Sequence, residues 1–168
     1  MHVEGAAALF AACERQGVRR LVHISAAGVE RGSSAFSETK RAGDAALAAS
    51  SLEWFILRPS VVIGRAAYGG SALIRGLAAL PVLPLVGGAG PLQLVHLDDV
   101  ADTVAACLRP ETPPRRVLEL VGPRVWTFAE TVGLFRRWLG WRPAVPVSVP
   151  DWLAGLIYRA GDAISWLG

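Results

Sequence analysis

The alternation of short, β-branched apolar runs with helix-spaced segments is what most constrains this chain. Residues 20–25, Arg-Leu-Val-His-Ile-Ser, are followed by Ala26, Ala27 and Gly28, which suits a buried parallel strand running into a loop. Before it, Val3, Ala6, Leu9, Phe10 and Cys13 recur at helical spacing over residues 3–16, with Gly17 as a C-terminal stop. The pattern repeats with a helix over 37–49, a strand over 54–58 closed by Pro59, and a third strand over 117–121. Such an order predicts an α/β fold, a parallel sheet with helices on its faces.

Further along, residues 71–80 read as a helix, and Asp98 or Asp99 can cap another that runs to Leu108. Thr127 and Glu130 form the T-x-x-E capping box of a helix that Gly140 ends. Asp151 starts a last helix with Trp152, Leu153, Leu156, Ile157, Ala160 and Ile164 on one side. Residues 77–95 carry no charge, but Pro81, Pro84, Gly87, Gly88, Gly90 and Pro91 would break any membrane-spanning helix. That stretch reads as a loop over an apolar pocket, a lid together with the loop at 64–70.

A chain of 168 residues with 52% apolar content can bury the core of one domain. Its net charge of +3 comes from arginines spread along the sequence rather than gathered in a stripe, so no nucleic-acid partner is expected. Cys13 and Cys107 lie in apolar helical stretches and read as reduced core thiols. Met-His-Val-Glu-Gly has no basic region before an apolar run, so a cytoplasmic location is the expectation.

Lys40 is the only lysine beside sixteen arginines. A compact ammonium on a flexible stem can reach ribose hydroxyls or depress a neighbour's pKa, and a planar guanidinium does not replace it there. An exposed helix lysine would need no such role, so the context decides.

That context is a series of segments in a recognisable order. Val3-Glu4-Gly5 opens a helix. Gly17-Val18-Arg19-Arg20-Leu21-Val22-His23-Ile24-Ser25 enters a strand, and a serine-rich loop precedes Lys40. Leu57-Arg58-Pro59-Ser60-Val61-Val62-Ile63-Gly64 and Val95-His96-Leu97-Asp98-Asp99-Val100-Ala101 follow. The series resembles the extended and atypical short-chain dehydrogenase/reductases, with NAD-dependent epimerase/dehydratase-like relatives. It is most similar to the subgroup of the accessory nucleotide-binding subunit of respiratory complex I. Asp151-Trp152-Leu153 and Gly161-Asp162-Ala163 are similar to bacterial members, some of which continue into a membrane-associated region.

The resemblance implies the C-terminal half of a doubly wound, parallel-sheet Rossmann fold, with a small α-rich region on the substrate side. Residues 1–122 would be a partial NAD(P)-binding domain without its first βαβ units, keeping the fifth to seventh strands. Residues 123–168 would be a small helical region truncated at its end. NAD or NADP would be the cofactor, with Lys40 on the nicotinamide ribose and Ser25, Ala26, Pro59, Ser60 and Val61 on the nicotinamide side. Phe36, Tyr68 and His96 would line the substrate pocket, and no metal is implied.

Several positions depart from the family. Its catalytic members use a tyrosine four residues before the lysine as general acid/base, and Phe36 has no ionisable proton. Lys40 and Ser25 remain as candidate catalytic groups, with Ala27 at the position where the extended enzymes often place the hydroxyl. Tyr68 could substitute for the acid. His2 stands where the family has asparagine. No strand is followed by the glycine-rich turn that faces a pyrophosphate, since the glycines at 64–70 and 87–90 match later parts of the family.

The expectation is therefore an oxidoreductase-type protein that binds the nucleotide weakly or not at all and has little activity as this chain. An open apolar edge beside residues 21–24 would invite a homo-oligomer or the missing N-terminal half. Membrane association is expected only through a C-terminal extension beyond the chain. Two alternatives compete: an active reductase or epimerase of a small apolar substrate, and a non-enzymatic partner subunit using the tryptophan-rich stretch from Trp126 to Trp166.

Overall fold

The computed structural model describes residues 2–66, 69–85 and 90–150. The helix expected from Asp151, the residue Tyr68 and most of the glycine run at 87–90 lie outside the described residues. The elements are α1 (His2–Arg15), β1 (Arg20–Ile24), α2 (Ala35–Ala48), β2 (Glu53–Pro59), β3 (Val61–Ile63), α3 (Gly70–Ala79), β4 (Val82–Leu85), β5 (Leu92–His96), α4 (Leu97–Leu108), β6 (Arg116–Leu120), β7 (Val125–Trp126), α5 (Phe128–Trp138) and β8 (Val145–Ser148).

The chain forms two compact units, one from Met1–Arg65 and Gln93–Pro123, the other from Ala66–Leu92 and Arg124–Gly168. The first is the parallel α/β assembly that the alternation predicts. Its main sheet has the order β1-β2-β6, with both pairs parallel. β2 is the central strand, and its near-continuous apolar run Trp54-Phe55-Ile56-Leu57 is buried on both faces, as a strand covered on two sides requires. Trp54 and Ile56 cluster with Phe10, Leu47 and Leu52, which belong to or follow α1 and α2. Phe55 and Leu57 point the other way and cluster with Cys107 on α4. Successive strand side chains alternate faces, so one strand organises both layers. Cys13 and Cys107 are free thiols.

Arg20 ties the layers together at one end. It donates to Glu53 from Nε and Nη2 and to the carbonyls of Cys107 and Arg109, which end α4. Those carbonyls carry the negative end of the helix dipole, so a guanidinium there is stabilised. Among the described residues β1 has one strand neighbour, β2, and its other edge is open.

Two expectations are corrected here. The uncharged stretch 77–95 is not one loop: it holds the end of α3 and the strands β4 and β5. Proline is tolerated in β4 because that strand has, among the described residues, a single partner, β8, leaving backbone positions that need no ladder donor. The cap of α4 is His96 rather than Asp98 or Asp99; its Nδ1 accepts from the Asp98 amide at 3.3 Å, and both carboxylates lie in the first turn.

In the second unit α3 packs with α5, and β4 with β8 makes a parallel two-stranded ribbon. The region after residue 123 therefore carries strands β7 and β8 besides α5, a feature the reading as a helical region did not include. Arg136 is buried and donates to the carbonyls of Ala78, Leu80 and Arg142, joining the end of α3 to the turn after α5. No described helix is long and apolar enough to cross a membrane.

Candidate active site

Because β1, β2 and β6 are parallel, their carboxyl ends lie on one edge of the sheet, where ligands of open α/β folds bind. The chain continues past those ends in extended form: the Ser25 amide donates to Leu57, Ala27 to Pro59 and Ser60 to Leu120. Ser25, Ala26, Pro59 and Ser60 thus gather at this edge, and Val61 begins β3, which pairs parallel to β5. Ser60 is fixed further by its hydroxyl, which donates to the Gln93 carbonyl at 2.6 Å. Gln93 Nε2 donates in turn to Gly122 at 2.7 Å. A Cβ on Gly122 would overlap the Leu94 carbonyl, so only glycine lets these backbones approach so closely.

Lys40 reaches the same edge from α2. Its Nζ donates to the carbonyl of Ile24, the last residue of β1, at 3.2 Å. Ser34 caps the helix that carries it, accepting from the Ser37 amide. One turn earlier on α2 stands Phe36, its ring centroid 5.9 Å from Nζ, within reach of a cation–π contact. Both line a cavity of about 330 Å³ with Ala6, His23, Thr39 and Gly43. The structure therefore brings Lys40 and Phe36 together. His96 does not line that cavity and serves the start of α4 instead.

Beneath the edge lies a group that the sequence did not reveal. Asp44 is buried on α2, and its Oδ2 accepts from the Ser25 hydroxyl at 3.1 Å and from Arg58 Nε and Nη2 at 3.1 and 3.0 Å. Arg58 extends a further bond to Glu30 at 2.5 Å. Burial alone would lower the Arg58 pKa, but its bonds to Glu30 and Asp44 outweigh it and hold it above the ordinary value. Those bonds also hold the Glu30 carboxyl below its usual range. A carboxylate only accepts, so the proton of the buried Ser25 hydroxyl is directed to Asp44.

His23 completes the group. Its Nε2 lies 3.4 Å from Asp44 Oδ1, longer than a formed hydrogen bond, and neither atom has another hydrogen-bond partner among the described residues. Desolvation lowers the His23 pKa; Asp44 opposes this and Lys40 adds to it. The imidazole is accordingly neutral at pH 7. No pattern could have exposed Asp44 in advance, because one aspartate at mid-helix reads as solvated until Arg58, fourteen positions on, closes over it.

Against this geometry, residues 2–111 match the family described as NAD(P)H-binding. The chain belongs to that family. Ceramide reductase of Caulobacter vibrioides is 28% identical over 150 residues, covering 88% of this chain and 46% of the relative. Bordetella bronchiseptica WbmG in complex with NAD shares the fold with a TM-score of 0.71 at 21% identity, over 89% of this chain and 52% of that one. Thermus thermophilus UDP-glucose 4-epimerase in complex with NAD gives 0.65 at 23% identity, over 84% and 56%. The chain spans about half the length of these relatives.

The fold is thus Rossmann-like, shared with these NAD-complexed structures, and the family's cofactor is NAD or NADP. The donor set fits one half of that cofactor. Lys40, with ammonium hydrogens beyond its bond to Ile24, and the hydroxyl lone pairs of Ser60 suit ribose hydroxyls and a carboxamide. None of the main-sheet strands β1, β2 and β6 is followed by a G-x-x-G-x-x-G turn, the pattern that sets backbone amides against a pyrophosphate.

Proposed function

We propose that this chain supplies the nicotinamide side of an NAD(P)-binding oxidoreductase-type protein and by itself transfers hydride slowly or not at all. The observation that carries this reading is the bond from Lys40 Nζ to the Ile24 carbonyl, which sets an ammonium at the carboxyl edge with Phe36 beside it. Lys40 would hold the nicotinamide ribose, and Ser25, Ala26, Pro59, Ser60 and Val61 would bound the ring. When bound, the nucleotide supplies a hydride donor or acceptor. Phe36 supplies no proton to accompany it, and the Ser25 proton is engaged by Asp44.

Calorimetric titration with NADH and NADPH tests the reading. Binding in the millimolar range, weakened by Lys40→Ala, is the expected result. Micromolar binding that survives Lys40→Ala would refute it.

A second reading, reduction of a carbonyl on an apolar substrate, is favoured by the similarity to the Caulobacter ceramide reductase. Hydride would pass from the nicotinamide to the carbonyl carbon and a proton from water to its oxygen. Introducing the missing acid with Phe36→Tyr would then raise the turnover of NADPH with a long-chain ketone by about 10²–10⁴-fold. No rise would remove this reading.

A further inference from the structure

The net charge of +3 belongs to one unit. The residues of the first unit hold eleven lysines and arginines against eleven carboxylates, and those of the second hold six against three. The arginines are spread along the sequence, as the composition suggested, but the carboxylates are not. Among the described residues of the second unit the only acidic side chain is Glu130, which the capping box of α5 engages.

This basic unit ends α5 in a turn that displays tryptophan. Gly140 adopts φ 74°, its amide donates to Arg137 and that of Trp141 to Arg136, the paired bonds of a Schellman turn. Trp138 is 70% exposed and Trp141 44%, with Leu139, also exposed, in the same turn. Cations hold the two indoles: the Arg75 guanidinium lies 5.7 Å from the Trp138 ring and that of buried Arg136 5.7 Å from Trp141. Arg137 and Arg142 flank the turn, exposed, and their side chains make no hydrogen bond or ion pair with described residues.

Exposed indoles are amphipathic and settle where an apolar phase meets water, and arginines beside them attract anionic head groups. Leu139, exposed between the two tryptophans in sequence, favours acyl chains over a phosphodiester backbone or a protein carboxylate. We propose that the turn Arg137-Trp138-Leu139-Gly140-Trp141-Arg142 docks the second unit on an anionic lipid surface. The contact is peripheral, made by side chains at one helix end, and it does not depend on the nucleotide reading.

Sedimentation of the full chain with vesicles tests this, comparing phosphatidylcholine alone with phosphatidylcholine and phosphatidylglycerol in equal parts. The chain is expected to sediment with the mixed vesicles only and to be released by high salt. Arg137→Gln with Arg142→Gln should lower the partition coefficient about thirtyfold. Trp138→Ala with Trp141→Ala should weaken it as well, while Arg19→Gln in the first unit leaves it unchanged. Circular dichroism checks that each variant is folded. The proposal is overturned by equal binding to both vesicles, by no binding to either, or by binding that ignores the arginine pair. It is also overturned, in favour of a protein partner, if polyglutamate binds as tightly as the mixed vesicles.

Discussion

Asp44 and Arg58 form a buried, two-bond ion pair, Nε and Nη2 of Arg58 converging on Oδ2 of Asp44 at 3.1 and 3.0 Å. The pair joins α2, which carries Lys40, to β2, which leads to Pro59 and Ser60. Ser25 is held by the same oxygen. The three segments that build the candidate site are therefore anchored at one carboxylate, and the site's geometry depends on a residue that need not touch a ligand.

Removing Arg58 leaves the Asp44 carboxylate buried without a bonded cation, whereas removing Asp44 leaves Arg58 paired with Glu30. Arg58→Met is expected to cost about 3–5 kcal/mol in urea denaturation, whereas Arg58→Met with Asp44→Leu recovers most of it. A single-variant loss under about 1 kcal/mol would show that water already solvates the pair.

Arg136 has a comparable place in the second unit, except that its partners are backbone carbonyls at the end of α3 and in the turn after α5. Arg136→Ala is expected to cost about 2–4 kcal/mol, because it strands those carbonyls. Arg136→Lys should not recover the loss, since an ammonium lacks the planar fork that reaches all three. Full recovery by lysine, read from urea unfolding followed by tryptophan fluorescence, would contradict this account.

The pH dependence follows from two sets of groups. Desolvation holds the folded His23 pKa below the ordinary 6.5, so the unfolded chain binds the extra proton first, and stability falls as pH drops through about 6.5. It levels off once the folded imidazole protonates. Glu14, Glu30, Glu53 and Glu130 are held below 4.5, chiefly by hydrogen bonds from Ser51, Arg58, Arg20 and Thr127. Their contribution is present above 4.5 and is lost as pH falls through their folded values. Urea midpoints measured downward from neutral pH should show both declines, and His23→Gln should remove only the first.

What the sequence revealed divides along the range of the interactions. The helix α5 was legible end to end, because Thr127, Glu130 and Gly140 act on their own turns, and both bonds of the capping box are formed. β1 and β2 were legible as apolar runs between turn residues. β4 and β5 were not, because Pro84 and Pro91 signal a break and only pairing with distant strands overrides it. That the His96 ring accepts the first amide hydrogen bond of α4 was not legible either, since histidine is not among the usual cap residues. The pairing of Lys40 with Phe36 could be read from their spacing on one helix; the tie from Asp44 to Arg58 and Ser25 required the fold.

The measurement that bears most directly on the site is two-dimensional amide NMR of the labelled chain during titration with NADH. Shifts are expected to concentrate at Ser25, Ala26, Lys40, Ser60 and Val61, to grow without saturating until millimolar nucleotide, and to diminish in Lys40→Ala. Shifts centred on the second unit, or a saturating response at micromolar nucleotide that Lys40→Ala leaves intact, would contradict this reading of the site.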